Sequence, residues 1–255
     1  ADPLHARAWQ RIAEVDGQLR SVGAPVALRT LAAPGLARRH AVRLAVLLAT
    51  GTGGLLAARR TGTWQQLAAD LSTATGERRE TVLADGTQLL LNTATAVDLR
   101  YTDAERLIVL RAGEILVRSA PDVARRPLRV RTAEGTVRAI GTRFTVRQRG
   151  GLTTVAVLEG AVELQPAQAP LAAQRLAAGE QGGFTAAAVR PAEPLPEGAG
   201  AWSEGMLVAD GMPLADFLAE LARHRPGVLR CAPDAAALRV SGSYPLADTD
   251  RVLAA

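Results

Sequence analysis

The stretch 137–164, VRAIGTRFTVRQRGGLTTVAVLEGAVEL, consists of short runs that either alternate in polarity or are wholly apolar. Such runs are typical of β-strands. Gly150-Gly151 and Glu159-Gly160 are turn signals between them. The stretch therefore predicts four short strands, at 137–140, 144–147, 154–158 and 161–164.

The same pattern continues towards the N-terminus. Further runs precede this stretch at 81–84, 87–91, 107–110, 115–117 and 128–132, and Asp85-Gly86, Ala112-Gly113 and Glu134-Gly135 separate several of them. So many short strands predict a mainly β domain at 73–190, either two-layered or solenoid-like.

The composition changes after this domain. Residues 191–200, PAEPLPEGAG, are typical of a semi-rigid linker, assigned to 191–201, and Trp202 is expected to anchor it to a neighbouring domain. Residues 202–255 then predict a small α+β module of the β-α-β type that lacks its last elements, with strands at 206–208, 228–231 and 238–240 and a final helix capped by Asp248 or Asp250. Its central helix carries apolar residues at i, i+3, i+4 and i+7, namely Leu214, Phe217, Leu218 and Leu221. The run 223–225 (RHR) is interpreted as a solvated helix end.

An apolar segment lies upstream of the β domain. Residues 41–58, AVRLAVLLATGTGGLLAA, make a helix of about 27 Å, which fits a hydrocarbon core of about 30 Å. Arg43, Arg59 and Arg60 flank it, so a transmembrane helix is predicted, followed by a stalk at 59–72. A cleaved signal peptide and a buried core helix are the alternatives. Residues 1–40 predict an amphipathic helix and a shorter helical piece.

Charge and composition narrow the classes of function. The net charge is +5, but residues 1–60 hold nine arginines against three acidic residues, so the remainder is slightly acidic. This distribution fits a membrane-proximal segment with a cytoplasmic N-terminus better than a nucleic-acid surface. The chain contains no lysine, which excludes a P-loop or a Schiff-base enzyme. A lone cysteine and three scattered histidines predict no metal or cofactor, and no catalytic motif indicates an enzyme.

Several short motifs, in order, resemble the FecR family of transmembrane iron-signalling regulators. In the β region they are 75–78 (TGER), 83–87 (LADGT), 113–114 (GE), 126–132 (RPLRVRT), 140–146 (IGTRFTV), 157–160 (VLEG) and 176–180 (LAAGE). The likeness continues through 201–202 (AW), 205–207 (GML), 221–227 (LARHRPG) and 240–242 (VSG), and 2–9 (DPLHARAW) resembles the end of the family's cytoplasmic anti-sigma domain. Residues 1–40 would be a remnant of that domain.

The resemblance implies a single-pass protein of the bacterial inner membrane, with a cytoplasmic N-terminus and a periplasmic C-terminal region. It would hold an extracytoplasmic-function (ECF) sigma factor and read the signalling domain of a TonB-dependent receptor for a siderophore or similar iron carrier. Envelope proteases would pass the signal on. Residues 202–255 would adopt the secretin/TonB short N-terminal (STN) fold, with Leu214, Phe217, Leu218 and Leu221 as candidate partner-binding residues.

Two other functions remain open. One is a β module that binds an envelope polymer, peptidoglycan or lipopolysaccharide. The other is self-processing at Gly141-Thr142, because in self-processing members of the family the threonine hydroxyl attacks the preceding carbonyl and the resulting ester is hydrolysed. A plain structural role for Gly141-Thr142, as a bulge within a strand, is the alternative to this cleavage.

Overall fold

The computed structural model describes residues 69–254. The predicted N-terminal helices, the predicted membrane helix at 41–58 and most of the predicted stalk at 59–72 lie outside these residues. Within 69–254, the helices are all too short or too polar to cross a membrane.

An eleven-stranded sheet contains most of the described chain. Its strands run antiparallel except for one parallel pair, β5 with β6. The strands are β1 Leu71–Ser72, β2 Arg79–Val82, β3 Gln88–Leu91, β4 Ala96–Tyr101, β5 Arg106–Arg118, β6 Leu128–Arg131, β7 Gly135–Arg149, β8 Leu152–Pro166, β9 Gln174–Ala177, β10 Glu180–Phe184 and β11 Val189–Pro194. The strand β11 therefore covers the first residues of the predicted linker, and β1 lies in the predicted stalk.

Three long strands, β5, β7 and β8, divide this sheet into two layers. The two halves of each long strand pair with different neighbours, and each layer contains one half of every long strand. The shorter strands of one layer are β2, β3, β10 and β11, and those of the other are β1, β4, β6 and β9. Each long strand passes from one layer to the other at a glycine with positive φ: Gly113 in β5, Gly141 in β7 and Gly160 in β8. The prediction of separate short strands was therefore wrong at 107–110 and 115–117, at 137–140 and 144–147, and at 154–158 and 161–164. Glycines at 113, 141 and 160 bend continuous strands at these places.

The main hydrophobic core lies between the two layers. Side chains of both halves of β5, β7 and β8 enter the same cluster, together with residues from the shorter strands. Its largest fully buried members are Phe144, Phe184, Leu89, Leu91, Ile108, Leu110, Ile115, Leu128, Leu164 and Leu176. Of the two predicted architectures, the layered one is observed.

The C-terminal module contains two strands and two helices. β12 (Met206–Pro213) pairs antiparallel with β13 (Arg239–Pro245), and the helices are α1 (Leu214–Leu221) and α2 (Thr249–Ala254). A 3₁₀ turn, Ala201–Glu204, precedes β12, and another, Ala222–His224, follows α1. The predicted strand at 228–231 is not formed. Those residues pair with no described strand, and the side chain of Val228 is exposed.

Candidate functional site

The module packs against the outer face of the β domain through a second hydrophobic cluster. Leu116 of β5 contributes to this cluster, together with Trp202, Phe217 and Leu221 from the module. Trp202 is buried there, as expected for a residue that anchors the linker. The ring of Phe217 meets that of Tyr244 edge to face, with centroids 4.8 Å apart.

The four predicted partner-binding residues all lie in this second cluster. Phe217 and Leu221 are buried, and Leu214 and Leu218 are half-buried against the same residues. In this arrangement, α1 uses its apolar face to hold the module on the β domain. A partner reaches Phe217 and Leu221 only when that face is uncovered.

Beside the second cluster, four charged side chains form a chain of ion pairs across the interface, called the charge chain below. Arg223 Nη2 lies 2.7 Å from Glu114 Oε2, and Arg223 Nη1 pairs with Glu220 Oε1. Glu220 Oε2 in turn lies 2.9 Å from Arg147 Nη2. Glu114 and Arg147 belong to the β domain, while Glu220 and Arg223 belong to the module. The pairs therefore join the two parts twice.

Hydrogen bonds complete the charge chain on the β-domain side. Asn92 Nδ2 donates to the same Glu114 oxygen over 2.9 Å, and the Thr93 hydroxyl donates to the main-chain oxygen of Arg223 over 2.9 Å. Arg78 Nη1 donates to the main-chain oxygen of Trp202 over 2.7 Å. Each buried charge thus has a partner, as it must if burial is not to cost several kcal/mol.

Burial and the neighbouring charges shift the pKa values of Glu220, Arg223 and His224. Burial alone would raise the pKa of Glu220, but Arg223 and Arg147 outweigh it and lower that pKa. Burial would lower the pKa of Arg223, yet Glu114 and Glu220 raise it. The neighbouring His224 is almost fully buried, and burial together with the charge of Arg223 lowers its pKa to about 4. The imidazole is therefore neutral at neutral pH.

Sequence reasoning missed Glu114, Arg223 and His224. The interpretation of 223–225 as a solvated helix end was wrong for Arg223 and His224, which the β domain covers. The only local signal was Glu220, three residues before Arg223, and that spacing predicts no more than an exposed helix pair.

The Gly141-Thr142 bond lies at a β-bulge. The register of β7 with β8 passes from Ile140 opposite Ala161 to Arg143 opposite Glu159, so Gly141 and Thr142 together face Gly160. Gly141 has a φ of +66°, which favours glycine. A Cβ on Gly160 would lie 2.1 Å from the Gly141 carbonyl oxygen. Only glycine at 160 therefore lets this carbonyl come so close.

The Thr142 side chain is buried beside this carbonyl. Its hydroxyl oxygen, Oγ1, is shielded from solvent and has no hydrogen-bond partner among residues 69–254. A buried hydroxyl without a partner is costly and calls for an explanation, and a chemical role is one such explanation. The predicted nucleophile is thus adjacent to the predicted scissile bond and is not bound elsewhere in the described chain.

Ser119, the first residue after β5, binds the main chain of Thr142. The Thr142 N–H donates to Ser119 Oγ over 2.8 Å, and the Thr142 carbonyl accepts from the Ser119 N–H over 2.9 Å and from its hydroxyl over 3.2 Å. A cleft of about 440 Å³ opens beside these residues, and Gly141, Ile140 and Ser119 line one side of it.

The described residues offer no cluster of three or more His, Cys, Asp or Glu side chains that would hold a metal ion. The only cysteine, Cys231, is half-buried and forms no disulfide. The side chains that the structure brings together at the interface and at the bulge are ion pairs and hydroxyl groups.

Residues 69–163 match the sequence model of the FecR protein family. We call these residues the FecR domain. The domain runs from β1 into the second half of β8, and it contains Glu114, Ser119, Gly141 and Thr142. Arg223 and Glu220 lie outside it, so the charge chain joins the FecR domain to the module that follows.

Two solved structures share the fold of the FecR domain and its surroundings. Both are described as a candidate anti-sigma factor from Parabacteroides distasonis. One has a TM-score of 0.58 and 24% identity and covers 72% of this chain and 87% of its own. The other has a TM-score of 0.55 and 24% identity and covers 72% of this chain and 88% of its own. At this identity the likeness concerns the fold alone. No curated protein matches the chain at a significant level.

Proposed function

We propose that this chain regulates a sigma factor from across a bacterial inner membrane. The FecR domain carries the proposal, since it matches the family that the sequence motifs resemble. The fold shared with two candidate anti-sigma factors supports it. In this proposal, residues 1–40 hold an ECF sigma factor in the cytoplasm and the described residues lie in the periplasm. The chain acts on no external substrate.

The interface supplies a means of passing a signal. The module of residues 202–255, proposed to have the STN fold, receives the signalling domain of a TonB-dependent receptor. The FecR domain covers the apolar face of α1 in this module, and the charge chain holds the module in that position. Receptor binding that competes for this face separates the module from the FecR domain. The altered periplasmic region is then open to envelope proteases.

The sigma-factor role is tested by transcription. Activity of promoters read by the ECF sigma factors of the same bacterium is measured with and without the full chain, and a promoter read by the housekeeping sigma factor is the control. We expect the chain to change only ECF promoters. Equal activity of every ECF promoter in both strains would rule out the regulatory role.

The orientation in the membrane is tested by reporter fusions. A reporter that is active only in the periplasm is fused to the chain after Arg100 or after Leu36. We expect activity after Arg100 and silence after Leu36. The opposite pattern would place the FecR domain in the cytoplasm and overturn the proposed relay.

The receptor contact is tested by retention on immobilised ligands. The full chain in detergent is passed over the signalling domains of TonB-dependent receptors from the same bacterium, and separately over purified peptidoglycan sacculi. Retention by a receptor domain alone supports the relay. Retention by sacculi alone would favour the envelope-binding alternative.

Self-processing at Gly141-Thr142 is a second candidate function, which the unpartnered Thr142 hydroxyl favours. In the acyl shift, Thr142 Oγ1 bonds to the Gly141 carbonyl carbon, and the bond from that carbon to the Thr142 nitrogen breaks. The hydroxyl proton passes to the nitrogen, which becomes a free amine while the chain stays joined by an ester. One water then hydrolyses the ester to a Gly141 carboxylate and the original hydroxyl.

This cleavage is tested on the purified full chain. Wild type should yield two fragments, of which the second begins at Thr142. Thr142→Ala should stay whole, and Thr142→Ser should regain part of the cleavage because it keeps a hydroxyl. A wild-type chain that stays intact after prolonged incubation would leave the bulge as architecture.

A further inference from the structure

The acyl shift also changes the chemical state of the Thr142 nitrogen, and the Thr142 hydroxyl does not stabilise the new state. As the peptide bond breaks, this nitrogen changes from a flat amide into an amine that takes up a proton. Until water hydrolyses the ester, the amine can attack the ester and restore the peptide. A group that holds the nitrogen in place and accepts hydrogen bonds from the protonated amine favours the ester over the amide.

We propose that Ser119 is the positioning residue for this step, an inference that rests on the proposed self-processing. Its Oγ already accepts a hydrogen bond from the Thr142 N–H over 2.8 Å. The same hydroxyl and the Ser119 N–H donate to the Thr142 carbonyl. Ser119 thus fixes Thr142 on both sides of its Cα and leaves Gly141 unrestrained by these bonds. After the acyl shift, the protonated amine of Thr142 donates to the same Ser119 Oγ that accepted from the amide.

The surroundings hold Ser119 in place through the next residue. The Ala120 N–H donates to Thr87 Oγ1 over 3.3 Å, and the Ala120 carbonyl accepts from Arg106 Nη1 over 3.0 Å. Arg106 is itself fixed, because its Nη1 lies 2.7 Å from Asp85 Oδ2 in a pair that is almost fully buried. The Ser119 hydroxyl is therefore set by a rigid part of the FecR domain, as a positioning group requires.

Water has a route to the ester at this place. The cleft of about 440 Å³ that Ser119 and Gly141 line is open to solvent. Hydrolysis of the ester needs one water and leaves a carboxylate at Gly141.

The experiment follows cleavage of the purified full chain over time in wild type, Ser119→Ala, Ser119→Thr and Ser119→Cys. Ser241→Ala is the matched control, because the Ser241 hydroxyl also accepts from a main-chain N–H, that of Gly211 at 2.9 Å, but lies on the module. A parallel series contains hydroxylamine, which attacks an ester much faster than an amide and leaves a Gly141 hydroxamate that mass spectrometry detects.

We expect Ser119→Ala to slow cleavage about tenfold or more, the worth of a hydrogen bond to a charged group. Ser119→Thr should restore the rate, Ser119→Cys should be intermediate, and Ser241→Ala should match wild type. The hydroxamate yield should fall in Ser119→Ala by a similar factor. A merely structural role would not give rescue by threonine together with a loss of trapped ester.

The outcomes separate the two proposals. Wild-type cleavage with equal cleavage in Ser119→Ala overturns the role of Ser119 and leaves self-processing standing. A wild-type chain that gives neither fragments nor hydroxamate overturns self-processing, and the role of Ser119 with it. If Ser119→Ala loses its folded circular-dichroism signal, the comparison of Ser119→Thr with Ser119→Cys decides, and equal rates in those two variants count against the proposal.

Discussion

Substituting Arg223→Met should loosen the module from the FecR domain. Methionine keeps the length and the apolar stem of the side chain but removes the guanidinium. Glu114 then retains only the hydrogen bond from Asn92, and Glu220 retains only Arg147. The bond from Thr93 goes to the main-chain oxygen of residue 223 and survives. The substitution therefore removes two ion pairs and leaves one buried carboxylate without a cation.

The magnitude follows from how buried these groups are. Removing one partner of a buried ion pair costs about 3–5 kcal/mol. The side chains of Arg223 and Glu114 are 15% and 9% exposed, and Glu220 keeps a cation, so we expect the lower end, about 3 kcal/mol. Since 1.4 kcal/mol corresponds to about a factor of ten, the population of chains with an open module should rise roughly a hundredfold.

Hydrogen exchange of the full chain in detergent, followed by mass spectrometry of its peptides, measures this opening. Amides of β12 and α1 should exchange about a hundredfold faster in Arg223→Met, while those of β7 should be unchanged. The control is Arg138→Met, because Arg138 pairs with Glu163 at 3.7 Å on an exposed surface, where such pairs are worth about 0–1 kcal/mol. Equal exchange in both variants would refute the role of the charge chain. Equal acceleration in β7 would show that the module does not open separately.

Three further perturbations have definite outcomes. The pKa of His224 falls from 6.5 in the unfolded chain to about 4 in the folded chain, so its neutral form should stabilise docking above pH 6.5. This contribution should be lost as the pH falls from 6.5 towards 4. In His224→Gln, the stability followed by fluorescence should no longer depend on pH in this range. Phe217→Ala should cost about 3–5 kcal/mol of module stability, because it removes a buried ring and its edge contact with Tyr244, and urea titration of the circular-dichroism signal measures it. Gly160→Ala should destabilise the FecR domain and alter cleavage, since the new Cβ would lie 2.1 Å from the Gly141 oxygen. The melting temperature and the fragment yield measure these effects, and no change in either would contradict the close contact.

The sequence predicts the elements of this fold better than their connections. Alternation and turn residues located β2, β3, β5, β6, β7 and β8 but missed β1, β4, β9, β10 and β11. The 3-4 spacing of Leu214, Phe217, Leu218 and Leu221 located α1. The continuity of β5, β7 and β8 was not predictable in this way. A glycine with positive φ serves a tight turn and a bend within a strand equally well, and only the pairing of both halves with other strands distinguishes them.

The contacts that build the candidate site were hidden for a different reason. Arg223 and Glu114 are 109 positions apart, so no local pattern relates them, and a basic residue at a helix end is ordinarily solvated. Ser119 meets Thr142 only because the pairing of β5 with β7 brings position 119 opposite 142. Gly141-Thr142 could be proposed from the sequence, because the family resemblance points to a Gly-Thr bond whose predicted nucleophile is the next residue in the chain.

The passage of β7 between layers decides what a break at Gly141 would leave behind. The first half of β7 lies between β6 and β8, and the second half lies between β5 and β8. Each product would therefore contribute strands to both layers and side chains to the same core, and the two would remain bound as a non-covalent complex. Such a break would leave the shape of the domain intact, but strand pairing and the shared core would then carry tension that a peptide bond carried before. In the relay proposed above, traction on the C-terminal fragment would separate it from the N-terminal fragment by breaking the pairing of β7 with β5 and with β8, and no further peptide bond would have to be cut.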